Sequence, residues 1–475
     1  MDGSLSGVIR RAGFPAYSDG VSENETSTEP KTESHDPAVP AAYAAFMREG
    51  WGDRELDLPV AAVAGPAAQR RQRLAEAFPG ERLVLPAGTY KVRAYDTDYR
   101  FRPDTAHTYF SGNQTSDAVL VVADGESVLY ARPRSSRDTD EFFRDRQYGE
   151  LWAGRRPSLK EMSDSLGLEV RHIDDLPSFD DGPKTRNLTT DADLARVASE
   201  LRLVKDAWEV EQLQEACDIT TLGFEDVVRE WDRVLELGER WIEGTFFRRA
   251  RAMGNDIGYD SIVGGGKHAT TLHWIDNTGP ITPGELVLLD MGVENTSLYT
   301  ADVTRTLPID GRFTSLQREL YDLVYTAQQA GIEAIRPGEA FRVGHNAAMD
   351  VLAHGLEDLK LLPVSAEEAL DPESRVYARW TLHGTSHMLG MDVHDCGQAA
   401  PESYAEGTLV EGMVLTVEPG LYFQEDDLLV PEELRGIGIR IEDDILVTAD
   451  GSTNLSAALP RTSTEVEEWM DRLRG

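Results

Sequence analysis

The rhythm of apolar and polar positions divides the chain into stretches of different kinds. Residues 1–37 are polar and acidic and lack the apolar spacing that would offset the entropy of ordering, so they are read as a flexible leader. From Ala38 the pattern turns globular. It predicts helices over 40–49 and 67–78, a buried strand over 82–86, and further strands over 118–122 and 127–131. Strands interleaved with helices up to about residue 190 predict an α/β domain, and the turn-rich run 180–189 reads as a linker.

Past that run the apolar period lengthens to that of amphipathic helices. One is predicted from Leu201 onward, with Leu203, Val210 and Leu213 on its apolar face. Another opens on Thr314 with a capping-box pattern and carries Leu316, Leu320 and Val324 as its stripe. Two segments between and after them read instead as β-hairpins. The first pairs Glu285–Gly292 with Leu298–Leu307 and carries Asp290 and Asp302. The second pairs Val414–Tyr422 with Gly436–Ile445 and carries Glu418 and Glu442. Each of these acids interrupts a run of Val, Leu and Ile that should be buried, where an unpaired ionised carboxylate is very costly.

Composition narrows the classes of function. With 47 Lys+Arg against 84 Asp+Glu the formal charge is −37, a field that repels nucleic acid and anionic membrane surfaces. The two cysteines, Cys217 and Cys396, form no ligand-like spacing, which fits a reducing compartment. The first residues lack the basic start and apolar core of a secretion signal, and no apolar run approaches the ~20 residues needed to span a bilayer. These features predict a soluble, cytoplasmic protein.

Histidine is scarce, yet three of the ten histidines, His383, His387 and His394, fall between Thr381 and Cys396. Imidazole serves both metal ligation and proton exchange near neutral pH, although any one of them could be an ordinary polar residue. The four strand acids have two readings on residues alone. They could be neutralised by Arg305, Arg440 or backbone turns. They could also hold two divalent ions, whose charge would balance four carboxylates and a hydroxide. Oxygen-rich donors with one imidazole suit Mn2+, Mg2+ or Co2+, with Zn2+ less favoured, and a hydroxide bridging two such ions is a nucleophile at neutral pH.

These residues, in their flanking motifs, resemble the pita-bread metallopeptidases, and within them the Xaa-Pro aminopeptidase (aminopeptidase P) family, over about residues 38–470. The pattern runs through Asp290 in Leu-Leu-Asp-Met-Gly, Asp302 in Ala-Asp-Val-Thr-Arg, His387 in Thr-Ser-His-Met-Leu-Gly, Glu418 in Val-Glu-Pro-Gly and Glu442 in Ile-Glu-Asp-Asp. The resemblance implies an N-terminal α/β domain over 38–190 and an α+β pita-bread catalytic domain over 191–475. It further implies that Asp302 and Glu442 bridge two metal ions, that His387 and Glu418 complete one, and that Asp290 completes the other.

By the same resemblance His273 lies near the scissile carbonyl, His394 contacts substrate and His383 lines a proline pocket. Arg440 would stand beside the site, with Asp96 and Arg102 in an N-domain stretch that closes on it. The substrate implied is a peptide with proline second, and the protein a homo-oligomer, dimer or tetramer. The loop Gly264–His268 lacks the Ser and Glu-Asn common there, and His35, His107, His172, His268, His345 and His354 match nothing in the pattern. Prolidase, using the same ligands on Xaa-Pro dipeptides, is the nearer alternative; Ser386 and the Tyr-Phe-Ser-Gly of the first domain favour the aminopeptidase. A catalytically silent peptide-binding module is the further one, disfavoured because all five ligands are present.

Overall fold

The computed structural model describes residues 39–123, 125–179 and 184–475, so the leader and part of the predicted linker lie outside the described residues. Two compact units form: one from residues up to Leu56 together with Pro133–Ser158, the other from Asp57–Arg132 together with Leu159–Gly475. In the smaller unit the helix Ala41–Met47 sets Tyr43 edge-on to Phe143, and Trp51 lies edge-on to Phe142 at 5.1 Å.

The larger unit begins with a five-stranded sheet whose spatial order is Glu169–His172, Glu126–Ala131, Val119–Ala123, Arg82–Pro86 and Thr185–Asn187. The three central strands are antiparallel and the two outer ones join them in parallel. Leu83, Leu85, Leu120, Val122 and Leu129 face a core completed by Leu74, Phe110 and Leu166, as the apolar runs predicted. The last strand falls inside the stretch read as a linker. Its backbone pairs with the sheet edge even though its side chains are polar, a contribution that residue type does not advertise.

In the remainder, long helices cover short sheets. The strands Ile262–Gly265, Leu286–Asp290 and Thr304–Pro308 form one, Val414–Val417, Asp443–Val447 and Ser452–Asn454 a second, and Gly420–Phe423 with Ile437–Arg440 a third. Phe224, Phe246, Leu320, Val324 and Leu352 from the helices pack with Leu289, Leu307 and Ile439 from the strands. The predicted helix after Thr314 spans Ser315–Ala334, with its capping box between Thr314 and Gln317 in place.

The helix expected from Leu201 starts later, at Ala207, because Asp206 and Glu209 form a capping box that fixes its first turn there. Residues 203–205 instead run extended beside Gly412–Met413. Leu203 therefore joins Met413 and Leu415, while Leu213 packs against Leu298 and Tyr299, and the two do not share a face. Among the described residues no helix is long and apolar enough to cross a membrane.

His107, on the buried helix Thr105–Ser111, shows how a sequence-silent histidine is held. Its Nδ1–H donates to Leu85 O at 2.8 Å and its Nε2 accepts from Asn113 Nδ2 at 3.2 Å, which fixes a neutral tautomer. Burial pushes its pKa from 6.5 down to about 4. The unfolded chain therefore takes up this proton first as pH falls from 6.5, so folded stability declines until about pH 4, by about 3 kcal/mol in all. A His107→Gln variant is less stable at pH 7 but lacks this titration. The Tm gap between it and the parent is expected to narrow as pH drops from 7 towards 4, and a constant gap would refute the assignment.

Candidate metal centre

The four acids do not sit mid-strand as the hairpin reading placed them; each stands where a strand ends or breaks. Asp290 closes its strand, and Asp302 lies two residues before the partner strand begins. The second hairpin is split in two, Val414–Val417 pairing with Asp443–Val447 and Gly420–Phe423 with Ile437–Arg440. Glu418 and Glu442 occupy the two breaks, at Glu418-Pro419 and Ile441-Glu442. Proline has no N–H to give to a ladder, so the first break is written in the sequence. A regular antiparallel ladder would hold these carboxylates apart, and the breaks let them turn towards one point.

His387 is set beside them by backbone pairing. The 385–388 segment runs along Val414–Val417, with Thr416 N donating to His387 O and Glu418 N donating to Thr385 O. Nδ1 of His387 lies 3.2 Å from Met388 O and Nε2 lies 3.2 Å from Asp302 Oδ2. A carbonyl can only accept, so Nδ1 carries hydrogen and Nε2 is the atom offered to the acids. Ligand atoms of Asp302, His387 and Glu442 all fall within 4.8 Å of one another. Glu418 Oε1 is 3.7 Å from His387 Nε2.

Asp290 and Asp302 are linked through the Tyr259 hydroxyl, 2.6 Å from Asp290 Oδ1 and 2.5 Å from Asp302 Oδ1. Gly292 allows this approach. A Cβ there would lie 1.7 Å from Ala301 O, so any larger residue would force the two acidic segments apart.

The charge balance separates the two readings of the acids. Arg440 donates from Nη2 to Asp290 Oδ2 at 2.6 Å, from Nη1 to the Tyr422 hydroxyl and from Nε to Thr304 Oγ1. Arg305 turns away, to Asp443 and to the carbonyls of Glu442, Leu459 and Pro460. Among the described residues one guanidinium and two imidazoles, those of His387 and His383, thus face four carboxylates. The deficit registers in their acidities: burial first, and then mutual repulsion, raises Asp290, pushes Glu418 up to about 7 and lifts Glu442 well above the carboxylate range. Burial opposes a charge on His387, yet Asp302 and Glu418 raise it to about 9. Buried acids that lack cations, together with an imidazole nitrogen aimed at them, fit divalent metal ions in number, type and charge of donor.

The other predicted residues are only partly gathered. His383 is half-buried; its Nε2 lies 2.8 Å from the Tyr422 hydroxyl and its Nδ1 3.5 Å from Glu418 Oε2. Burial, then Arg440, push its pKa down to about 4. His394 is exposed, its ring perpendicular to that of His387 at 4.5 Å, and it lines a cavity of about 570 Å³ with Asp104, Arg202, Asp392 and Gln398. His273 is exposed on a loop, close enough to His383 and His394 for its charge to lower both. Arg102 joins Glu294, Met391 O and Asp392, tying the first sheet's domain to the 391–395 loop, whereas Asp96 lies in an exposed hairpin over Val92–Asp98.

Residues that the sequence reading missed include Tyr259, Thr304, Tyr422 and Asp444. Thr304 Oγ1 donates to Glu442 Oε2, and Asp444 Oδ2 accepts from Asp302 N and Cys217 Sγ. Period-two alternation could have found three of them, since Thr304 follows Asp302, Asp444 follows Glu442 and Tyr422 follows Glu418 at even spacing. Tyr259 carries no such local signal.

Comparison with known proteins covers the stretch that holds these residues. The model of metallopeptidase family M24 matches residues 211–449, and that of the aminopeptidase P N-terminal domain matches residues 67–181. Xaa-Pro aminopeptidase 1 of Streptomyces coelicolor is 51% identical, covering 97% of this chain and 98% of its own. The Xaa-Pro aminopeptidase of Escherichia coli is 32% identical over 85% of this chain and 96% of its own. The solved structure of zinc-substituted E. coli aminopeptidase P in complex with product superposes with a TM-score of 0.77 at 28% identity, covering 87% of this chain and 100% of that one. With an α/β first domain, a pita-bread second domain and this acid-lined centre, the chain belongs to metallopeptidase family M24, among the Xaa-Pro aminopeptidases.

Proposed function

We propose that the chain releases the first residue from peptides whose second residue is proline. It would use two divalent ions held by Asp290, Asp302, His387, Glu418 and Glu442. The observation that carries this reading is the set of buried carboxylates with too few cations, converging on His387 Nε2. Asp302 and Glu442 would be shared by both ions, His387 and Glu418 would serve one, and Asp290 the other. When bound, the ions supply Lewis acidity and bring the pKa of water down from ~16 to about 7, which makes a nucleophile available at neutral pH. The oxygen-rich donor set favours Mn2+, with Mg2+, Co2+ or Zn2+ as alternatives.

The protein's own groups would orient and protonate. The nitrogen of a Xaa-Pro bond has no hydrogen and leaves as a secondary amine, so a proton must be delivered to it. His273 and His394, exposed in the same region, would meet the substrate, His273 towards the carbonyl and His394 along the peptide. His383 would border the proline ring, its orientation set by Tyr422, which Arg440 holds in turn. Arg440 also fixes Asp290 for ligation.

Two buried free thiols, Cys217 and Cys396, support a cytoplasmic setting, and the resemblance supports a homo-oligomer, dimer or tetramer. A domain boundary near residue 190 is supported by the interval between the two family matches, 67–181 and 211–449.

Two measurements test this. Asp302→Asn replaces a shared anionic ligand with a neutral amide. Turnover is expected to fall at least about 10³-fold, equivalent to ~4 kcal/mol of transition-state stabilisation, with loss of bound metal. An active, metal-replete variant would remove Asp302 from the centre. In the second, kcat/KM is compared for a Xaa-Pro-Pro tripeptide and a Xaa-Pro dipeptide. Preference for the tripeptide is expected, and preference for the dipeptide would make the enzyme a prolidase.

A further inference from the structure

The loop that carries His273 is closed at both ends by an acid with no assigned role. Glu239 opens the helix Glu239–Met253 and is wholly buried. Its Oε1 accepts from Gly265 N at 2.9 Å and lies 2.8 Å from His268 Nδ1. Its Oε2 accepts from Trp274 Nε1 at 2.9 Å and from Gly279 N at 2.6 Å. Glu239 N returns a bond to Gly279 O at 3.1 Å. A carboxylate only accepts, so the Nδ1 of His268 donates, and four donors satisfy both oxygens.

Residues 265 and 279 stand at the two ends of the loop, so this single carboxylate closes it. Gly279 has no alternative there, because a Cβ would lie 2.5 Å from His268 Nδ1 and 2.7 Å from Glu239 Oε1. His268, which matched nothing in the sequence pattern, also stacks on Trp274 with ring centroids 4.0 Å apart at 25°. Leu272 and Trp274 pack against a cluster that includes Tyr422, and the turn leaves His273 exposed between them. An exposed imidazole has no packing of its own to fix it, so its place is set by those neighbours.

We propose that Glu239 is a positioning residue for the reaction: through His268, Trp274 and the amides of Gly265 and Gly279 it holds the 265–279 loop so that His273 meets the substrate carbonyl. This rests on the role given to His273 above, and the experiment separates the two. Glu239→Gln keeps size and shape but leaves a single accepting oxygen for four donors. Amide exchange at Gly265 and Gly279 is expected to accelerate at least tenfold. With metal content and KM unchanged, kcat is expected to fall about 10²-fold, the scale of a misplacement near 1 Å. Combined with His273→Ala, the two losses in kcat should not add, because both act through one imidazole.

Trp274→Phe removes one donor and keeps the ring on His268. It should move exchange and kcat in the same direction by less, and it carries the test if Glu239→Gln folds poorly. Unchanged exchange in the Glu239→Gln protein, or in Trp274→Phe where that variant carries the test, would overturn the proposal, as would additive losses in the double variant. If the parent protein hydrolysed no Xaa-Pro peptide, the reading of function would fail, and amide exchange alone would decide whether Glu239 holds the loop.

Discussion

An excess of buried negative charge is the constraint on which the structure turns. Asp290, Asp302, Glu418 and Glu442 converge in the interior, and among the described residues Arg440, His387 and the half-buried His383 stand opposite them. Taking even one carboxylate out of water costs several kcal/mol, and a like charge close by raises that further. Such a group persists only if the surrounding fold is stable enough to hold it, or if counter-charge arrives from outside. The large apolar core that packs the helices on these strands supplies the first, and a family defined by metal-dependent hydrolysis accounts for the second.

Holding the acids together requires that the two acidic halves not drift apart, and the ties between them are polar. Arg305, only 1% exposed, sits with its guanidinium between strands, binding Glu442 O and Asp443 Oδ1. Thr304 joins Glu442 twice, by its carbonyl and its hydroxyl, and Arg440 reaches across to Asp290. Cross-strand alternation sorts these duties: Arg440, Glu442 and Asp444 face the centre, while Asp443, on the other side, meets Arg305 and Gln328. Adjacent residues therefore serve the acidic centre and its scaffold by turns.

The sequence revealed the parts governed by local pattern. Binary patterning located the central strands of the first domain and the helix after Thr314, because those are decided by burial of neighbouring apolar residues. The four acids proposed as ligands stood out within Val, Leu and Ile runs and His387 within a cluster of histidines, but only the family resemblance joined them into one set. What escaped depended on contacts between residues distant in the chain. The start of the helix at Ala207 was set by a polar box that overrode the apolar period. The strand Thr185–Asn187 exists only because Arg82–Pro86 offers it an edge, and the bond from Tyr259 to Asp290 spans 31 residues.

The same division runs through the site itself. The acids stand on strand ends within the core, where backbone pairing fixes them, while His273 and His394 ride on exposed loops and must be fixed at a distance. The 391–395 loop uses the same device as the 265–279 loop. Asp395, buried beside His394, accepts from Arg202 Nε and Cys396 N, lies 3.8 Å from Lys205 Nζ, and ties its own amide to Met388 O next to His387. A group that must meet an incoming substrate cannot itself be packed away, so its order is borrowed from buried ionic residues one or two positions off, or across the loop. Precision at such a centre is a property of those hidden carboxylates as much as of the imidazoles they place.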